Sequence, residues 1–586
     1  MNIGRTFRTV RHLTPEQWAF RGVCRGRWTF ARRVPGIFRA HIERTASQLP
    51  LPNDVLSSSV RGAAKHVLQL QLAVHGATLA GITRGEFHFL GRTIDFGSID
   101  KIDWRRDLGE HNNPLWRMNL SYFGWSVPLL ESAKSETIKL VASVLAGMEQ
   151  QNPWSADGVF RDVWHPYSVS HRLINLLTGL ALHRENGGPR SAENEDRILQ
   201  HVRLCAAFLL HNLERDLQFN HLLKNFVALA VYRATLDAPC RKLAFLDRGI
   251  EKSLRQQLLG DGGHAERSPM YHALFLLDMM ILQACGSALD TPIADAQHAL
   301  GVMSHSDGDI SLFNDSWLGE APPSHTLCAS ASDGMTDLPV TGYVRLASGE
   351  DTIIFDRGPC GPDSNPGHAH ADFLSIEACV AKQRFIVDPG VPTYSAGPLR
   401  DLCRSASQHN APHIADAEPI EFWHSFRVGR RGNAYRIDDP GLQELAPLSA
   451  SAWHDGYGRN GVSVGRWIGF WPEQGMLIID VWNKAVASAG LRFLIPADWR
   501  LEGTSFVQAK KVGLDVILGN TPSFERAHWW PKFGEPKDAH GVFIRPVTSA
   551  YGAVVATVWR WGDMQTLTAD QAHGIARKLS MHYQPS

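Results

Sequence analysis

The chain has 586 residues, 44% of them hydrophobic, which is too long for one core and enough to fill two or three. Its 59 basic residues balance 59 acidic ones, which argues against a nucleic-acid partner or any polyanion-coating surface, yet permits a local basic cleft. The eight cysteines contain no CxxC pair, no run of about twenty apolar residues exists to span a membrane, and the basic N-terminus lacks an apolar run of signal-peptide length, so the sequence alone places the chain in the cytoplasm.

Residues 1 to 60 read as irregular helix in which Trp18, Arg21, Arg25, Trp28, Arg32 and Arg33 mix. We take this as a solvated helical face rather than an arginine-rich lobe. Short strand-like runs, FHFLG and IDF, lie between 84 and 105, followed by the aromatic stretch NPLWRMNLSYFGW (113 to 125). From 126 to 300 the period is helical: Ile138, Val141, Leu145 and Met148, then Ile198, Val202, Cys205 and Leu209, recur at helix spacing. Three polar motifs punctuate these helices, WHPYSVSHRLINLL (164 to 177), FNHLLKNFVALA (219 to 230) and DGGHAERSPMYHALFLLDMM (261 to 280). Antiparallel helices with polar residues gathered at one end suit a helical toroid around a cleft. The 18 tryptophans add rings able to stack on sugar faces.

After about residue 325 the period changes to that of strands: YVRLASGEDTIIFD, FLSIEACV, RFIVD, RWIGFW, MLIIDVW, LRFLI and VVATVWRW. Helices first and strands second predict a multidomain α+β chain, an (α/α) toroid over 1–325 and an antiparallel β-sandwich over 326–586. The two are expected to meet near FNDSWLGEAPPS, where a proline pair coincides with the change of period.

The densest chemistry lies at 365 to 413, with His368, His370, His409, His413, Asp372, Asp388, Arg400, Arg404 and Tyr394. If GHAHAD is extended, His368 and His370 share a face. FLSIEACV and RFIVD form a hairpin turning near Ala381 to Gln383, which returns Asp388 beside GHAHAD. His370, Asp388 and His409 can then surround one ion, and two imidazoles with a carboxylate suit zinc.

The ordered set NPLWRMNLSYFGW, YSVSHRLIN, FNHLLKNF, DGGHAERSPMYH, GHAHADFLSIE, DPG and RSASQHN resembles the heparinase II/III-like polysaccharide lyases and oligoalginate lyases of the same architecture, over about residues 100 to 440. The resemblance implies an incomplete (α/α) toroid joined to a β-sandwich with the active site between them. It implies Asn220, His221, Tyr271 and His368 as catalytic residues and His370, Asp388 and His409 as ligands of one structural zinc per chain. It implies an anionic polysaccharide or oligosaccharide as substrate, and an envelope or periplasmic location. Three features depart from the family: Ala411 where HNT is usual, no visible signal peptide, and a short toroid.

A lyase of this kind removes the C5 proton of a uronate and ejects the C4 substituent. Asn220, with His221, stabilises the developing enolate. Tyr271 serves as acid and base if both act on one side of the sugar, with Arg267 and His272 as candidate sources of positive field; His368 or His221 is the base if they act on opposite sides. Tyr167, His171 and Arg172, at helical spacing, and Arg404 are candidate substrate contacts. Two other readings remain: a non-catalytic glycan-binding or exopolysaccharide-assembly protein on the same fold, and a metal-dependent hydrolase built on HxH.

Overall fold

The computed structural model describes residues 3–109, 114–565 and 567–583, so Asn113 of the aromatic motif lies outside them. The first half is helical and the second is built of antiparallel sheets, as the change of period predicts. Among the described residues no helix is long and apolar enough to cross a membrane.

Several helices of the first half begin with proline, among them those starting at Pro15, Pro35, Pro166 and Pro269, where the missing N–H costs nothing. Thr14 and Gln17 close a capping box, and Ser268 accepts from the amide of Tyr271. The expected helices run Ser135–Gln151 and Ala192–His211, and their periodic residues Ile138, Val141, Leu145 and Met148, and Ile198, Val202, Cys205 and Leu209, are all buried. They join one continuous apolar core with Trp104, Trp116, Trp125, Trp154 and Trp164. The FHFLG and IDF runs form a small hairpin, Glu86–Phe89 with Arg92–Asp95.

The last long helix of this half, Asp290–Val302, is followed by segment 303–333, which bonds to both halves. His305 meets Glu377 at 2.7 Å, Leu318 donates to the Pro531 carbonyl, and the amide of Asp315 donates to the His368 carbonyl. A second junction is built on DGG: the Asp261 carboxylate accepts the amides of Val340 and Thr341, and a Cβ on Gly263 would lie 1.7 Å from Thr341 Oγ1. Only glycine permits that approach.

The sheet half opens with a five-stranded antiparallel meander, Gly334–Leu338 through Gln383–Ile386, and continues into a nine-stranded and a four-stranded antiparallel sheet that share a second core around Phe385, Phe493, Trp499 and Trp559. The expected hairpin is present: Ile376–Val380 pairs with Gln383–Ile386 across the two-residue turn Ala381-Lys382, where both φ are positive. This is the turn whose twist matches a tight hairpin. The Lys382 amide donates to the Glu350 carbonyl and the Ala381 amide to Asp351, which offsets the strain of two left-handed non-glycine residues.

Beyond that hairpin, DPG makes a sharp turn against Trp530. The Trp530 amide donates to the Pro389 carbonyl, Gly390 has φ +71°, and a Cβ there would fall 2.1 Å from the Trp530 oxygen. Gly390→Ala therefore adds a backbone clash to left-handed strain and should destabilise the protein by at least about 2 kcal/mol. Gly187→Ala, also at positive φ but with open space around it, should cost only about 1 kcal/mol. Chemical-denaturation midpoints of the two variants would show the difference.

Candidate active site

A cleft of about 720 Å³ lies between the halves, lined by Tyr167, Asn220, His221 and Tyr271 from the helices and by His368, Tyr394 and Phe426 from the sheet half. It opens inward to a chamber that shares Tyr122, Tyr167, Asn220, Tyr271 and Tyr394 and adds Lys224, Asp278 and Glu320. Three of the lining helices, Pro166–Glu185, Phe219–Arg233 and Pro269–Ala284, present residues of their first turns to this space. Their N-termini are thus the ends at the cleft, where helix dipoles favour negative charge.

Two consecutive left-handed residues, Gln218 (φ +61°) and Phe219 (φ +45°), precede Asn220. Such strain costs on the order of 1–3 kcal/mol per residue and persists where the surroundings over-determine it. Here the Gln218 amide is held by the Glu214 carbonyl. Asn220 Oδ1 is buried with no partner among the described residues. His221 Nδ1 bonds to Glu214 Oε1 at 2.8 Å, and its ring lies 4.6 Å from that of Tyr167. Burial pulls the His221 pKa down, but the Glu214 carboxylate outweighs it and the net shift is upward. Glu214 is fixed in turn by Asn225 Nδ2 at 2.9 Å.

Across the cleft the Tyr271 and His368 rings stack at 4.0 Å and 32°. The Tyr271 hydroxyl bonds to that of Tyr394 at 3.3 Å. Burial drives the Tyr271 hydroxyl well above the usual tyrosine range. The cationic field sought from its sequence neighbours is spent elsewhere. Arg267 donates to the Thr341 and Val340 carbonyls, and buried His272 bonds to the Ala296 carbonyl.

The residue that organises the site is Asp315, which sequence reasoning passed over as part of a junction. Its buried carboxylate receives Arg400 at 2.5 and 2.8 Å, His368 Nδ1 at 3.0 Å and His370 Nε2 at 2.9 Å. Burial alone would raise its pKa, but the Arg400 guanidinium and the two imidazoles hold it well below the carboxylate range. The GHAHAD stretch is not a regular strand, yet both imidazoles reach the same carboxylate. Neighbouring Asn314 (φ +59°) accepts the His370 amide and donates its own amide to Asp372. An Asn-Asp-Ser run between aromatics was the available signal, but the prolines that follow it read as a linker.

His370, Asp388 and His409 are fully buried and offer ligand atoms within 4.8 Å of one another. The residues fit a metal ion. His370 Nδ1 and His409 Nε2 lack partners, and burial lowers both imidazoles, keeping them neutral. Burial and the nearby Glu377 raise Asp388 well above its usual range, so a bound cation would take the place of its proton. Asn410 clamps the ligand loop, donating to the Ile376 and Val387 carbonyls and accepting from the Leu494 amide. None of these bonds involves the side chain that distinguishes Ala411 from threonine.

Two expected substrate contacts are turned away from the cleft. Arg172 sits one position round the helix from His171, fully buried, donating to His201 Nε2 and to the Ser121 and Val163 carbonyls at 3.0 Å each. Arg404 braces the Ala369 and Ser425 carbonyls and lies 3.9 Å over the Phe422 ring. Tyr167 and His171 do face the space, with rings 4.7 Å apart.

A family profile described as Heparinase II/III-like, C-terminal matches residues 331–535. Among solved structures, a heparinase III is 16% identical with TM-score 0.62, covering 88% of this chain and 87% of that one. The heparan sulfate lyase HepC from Pedobacter heparinus is 14% identical with TM-score 0.52, covering 84% of each. At such identities the likeness is one of fold. FtsZ-localized protein C from Caulobacter vibrioides is 25% identical over 238 residues, and the match spans 37% of this chain and 40% of that protein.

Replacing Glu214 by Gln leaves His221 with burial as its main influence. The His221 imidazole should then titrate below the ordinary histidine value instead of above it, as followed by its ring proton resonances against pH. A titration unchanged from wild type would show that Glu214 does not set its charge.

Proposed function

We propose that this chain, whose residues 331–535 form a heparinase II/III-like C-terminal domain on a heparinase-like fold, is a polysaccharide lyase cleaving uronic-acid-containing glycans by β-elimination. The observation that supports this best is the facing arrangement of Tyr271 against His368, with Asn220 and His221 lining the same cleft. In this reading the substrate carboxylate meets the Asn220 amide and His221, whose pKa Glu214 raises, and these stabilise charge as the C5 proton leaves. His368 Nδ1–H donates to ionised Asp315, which leaves the Nε2 lone pair to accept the C5 proton; because its ring touches that of Tyr271, the pair would act on a C5 proton and a leaving oxygen on the same side of the sugar. Tyr271, kept a phenol by burial, gives its proton to the leaving oxygen, and Tyr394 holds that hydroxyl in place.

The metal belongs to the same proposal. His370, Asp388 and His409 would hold one zinc ion, whose role would be to tie GHAHAD to the DPG turn. His370 bonds to Asp315 through Nε2 and would offer Nδ1 to the ion, an arrangement in which a carboxylate fixes a ligand imidazole.

A second reading, a non-catalytic glycan-binding or assembly protein, is favoured by one observation. Apart from histidines and tyrosines, the ionisable side chains lining the cleft and chamber among the described residues are Arg161, Lys224, Asp278 and Glu320, and Lys224 is already paired with Asp278 at 2.5 Å. That is a modest field for a densely charged polymer. The hydrolase reading loses ground because HxH lies beside an antiparallel meander instead of on a parallel barrel.

Incubation with a panel of uronic-acid polymers should give near-ultraviolet absorbance from an unsaturated product. On the polymer so identified, Tyr271→Phe should fold normally and lose at least about a hundredfold in turnover. Wild-type turnover in that variant would remove Tyr271 from the chemistry, and no product from any polymer would favour the binding reading. Metal analysis should find near-stoichiometric zinc in the wild type and little in Asp388→Ala, with a lower melting temperature. A stable, metal-free wild type would refute the zinc site.

A further inference from the structure

We propose that the outward face of the first three helices, Ile3–Val10, Pro15–Arg33 and Pro35–Ser47, is a docking surface for an anionic lipid bilayer. The chain is neutral overall, but its charge is unevenly placed. Nine of the 59 basic residues, all arginine, and only one of the 59 acidic residues fall in the first forty positions. The remaining residues, 50 basic against 58 acidic, are net negative.

Helix Pro15–Arg33 is apolar on two sides. Its inner side is accounted for: Gln17, Cys24 and Ala31 are buried, and Trp28 packs on Phe38, Phe160 and Phe208. At about 100° per residue, Trp18, Val23 and Phe30 fall on the opposite side. They are 53%, 50% and 48% exposed, and Ile37 on the next helix is 63% exposed. Gly22 and Gly26, between Trp18 and Phe30, have nothing within 4 Å of where a Cβ would sit, so no other described part of the chain covers this stripe. Arg21, Arg25 and Arg32 lie along one shoulder of it and Arg27 along the other. The first helix adds exposed Ile3 and Phe7 and is fastened down by Arg8 on Glu421 and by Trp423 Nε1 on Thr9.

An exposed face with aromatic and aliphatic side chains between arginine shoulders fits the boundary of an anionic bilayer. The rings enter the headgroup–acyl boundary while guanidinium groups reach lipid phosphates. Nucleic acid would use the arginines but leave Val23, Phe30 and Ile37 in water. A two-fold dimer through this face would set the arginines of one copy against those of the other. Attachment would be peripheral, and it revises the reading of this stretch as a plain solvated face.

The test is co-sedimentation of the full-length protein with vesicles of phosphatidylcholine alone or mixed with phosphatidylglycerol. Most of the protein should pellet with the mixed vesicles, little with the neutral ones, and added salt should release it. The double variants Trp18→Ser/Phe30→Ser and Arg25→Glu/Arg32→Glu should each weaken binding at least about tenfold, the consequence of losing roughly 1.4 kcal/mol. Their thermal unfolding should match wild type, since these side chains point outward. The proposal fails if the protein does not pellet with mixed vesicles, if it binds neutral vesicles equally, or if the variants bind like wild type. It also fails if sedimentation velocity shows a dimer that Trp18→Ser/Phe30→Ser dissolves, which would make a second copy the occupant.

Discussion

The arrangement of the cleft depends on one buried carboxylate. Asp315 has no exposure, and an isolated charge there would cost several kcal/mol. It survives as an anion because Arg400 meets it with two parallel N–H bonds and two imidazoles add their own. The dependence runs both ways. The same carboxylate fixes which nitrogen of His368 and of His370 carries a proton, and so which nitrogen of each is left for other work. One oxygen serves the residue facing the cleft and the other serves the residue facing the candidate metal pocket. Arg400 is itself held by stacking 4.9 Å from the Tyr394 ring, whose hydroxyl bonds to Tyr271. A single connected network therefore joins the helical half, the linking segment and the sheet half.

Much of this was legible in the sequence, for identifiable physical reasons. Hydrophobic period is a local property, so the helices with buried Ile138 to Met148 and the strands from Tyr343 onward could be read without tertiary knowledge. The hairpin returning Asp388 was readable because its alternation and length leave one place for a turn. What could not be read was direction around a helix axis. Arg172 and His171 are adjacent in sequence, yet about 100° apart, and only packing decides that one faces the cleft and the other braces carbonyls behind it. Asp315 was missed for a related reason. Its partners lie 53 to 85 residues further on, and nothing local distinguishes it from a linker aspartate.

The electrostatics of the cleft rest less on side-chain charge than the resemblance to lyases of anionic glycans suggests. Among the described lining residues Arg161 is the one arginine or lysine outside a buried ion pair, and Glu320, raised to about 7 by burial, is only partly ionised at physiological pH. The helix N-termini and His221 supply the rest of the positive field, and these are fixed in place by the backbone. A site built this way is preorganised for one carboxylate at a defined position more than for a high density of negative charge.

The position of Asp315 in the chain has a consequence for how the protein comes into being. It follows the whole helical half, but all four of its charge-bearing bonds come from residues synthesised later. While the helices emerge and collapse, this aspartate has nothing to neutralise it and must stay hydrated, which keeps segment 303–333 from closing over the helices prematurely. Domains generally fold in order of synthesis. Here the first half can form its core, but the orientation of His368 and His370 waits for Arg400, 85 residues after Asp315 and well inside the second. The cleft is therefore completed only after the helices that form its other wall.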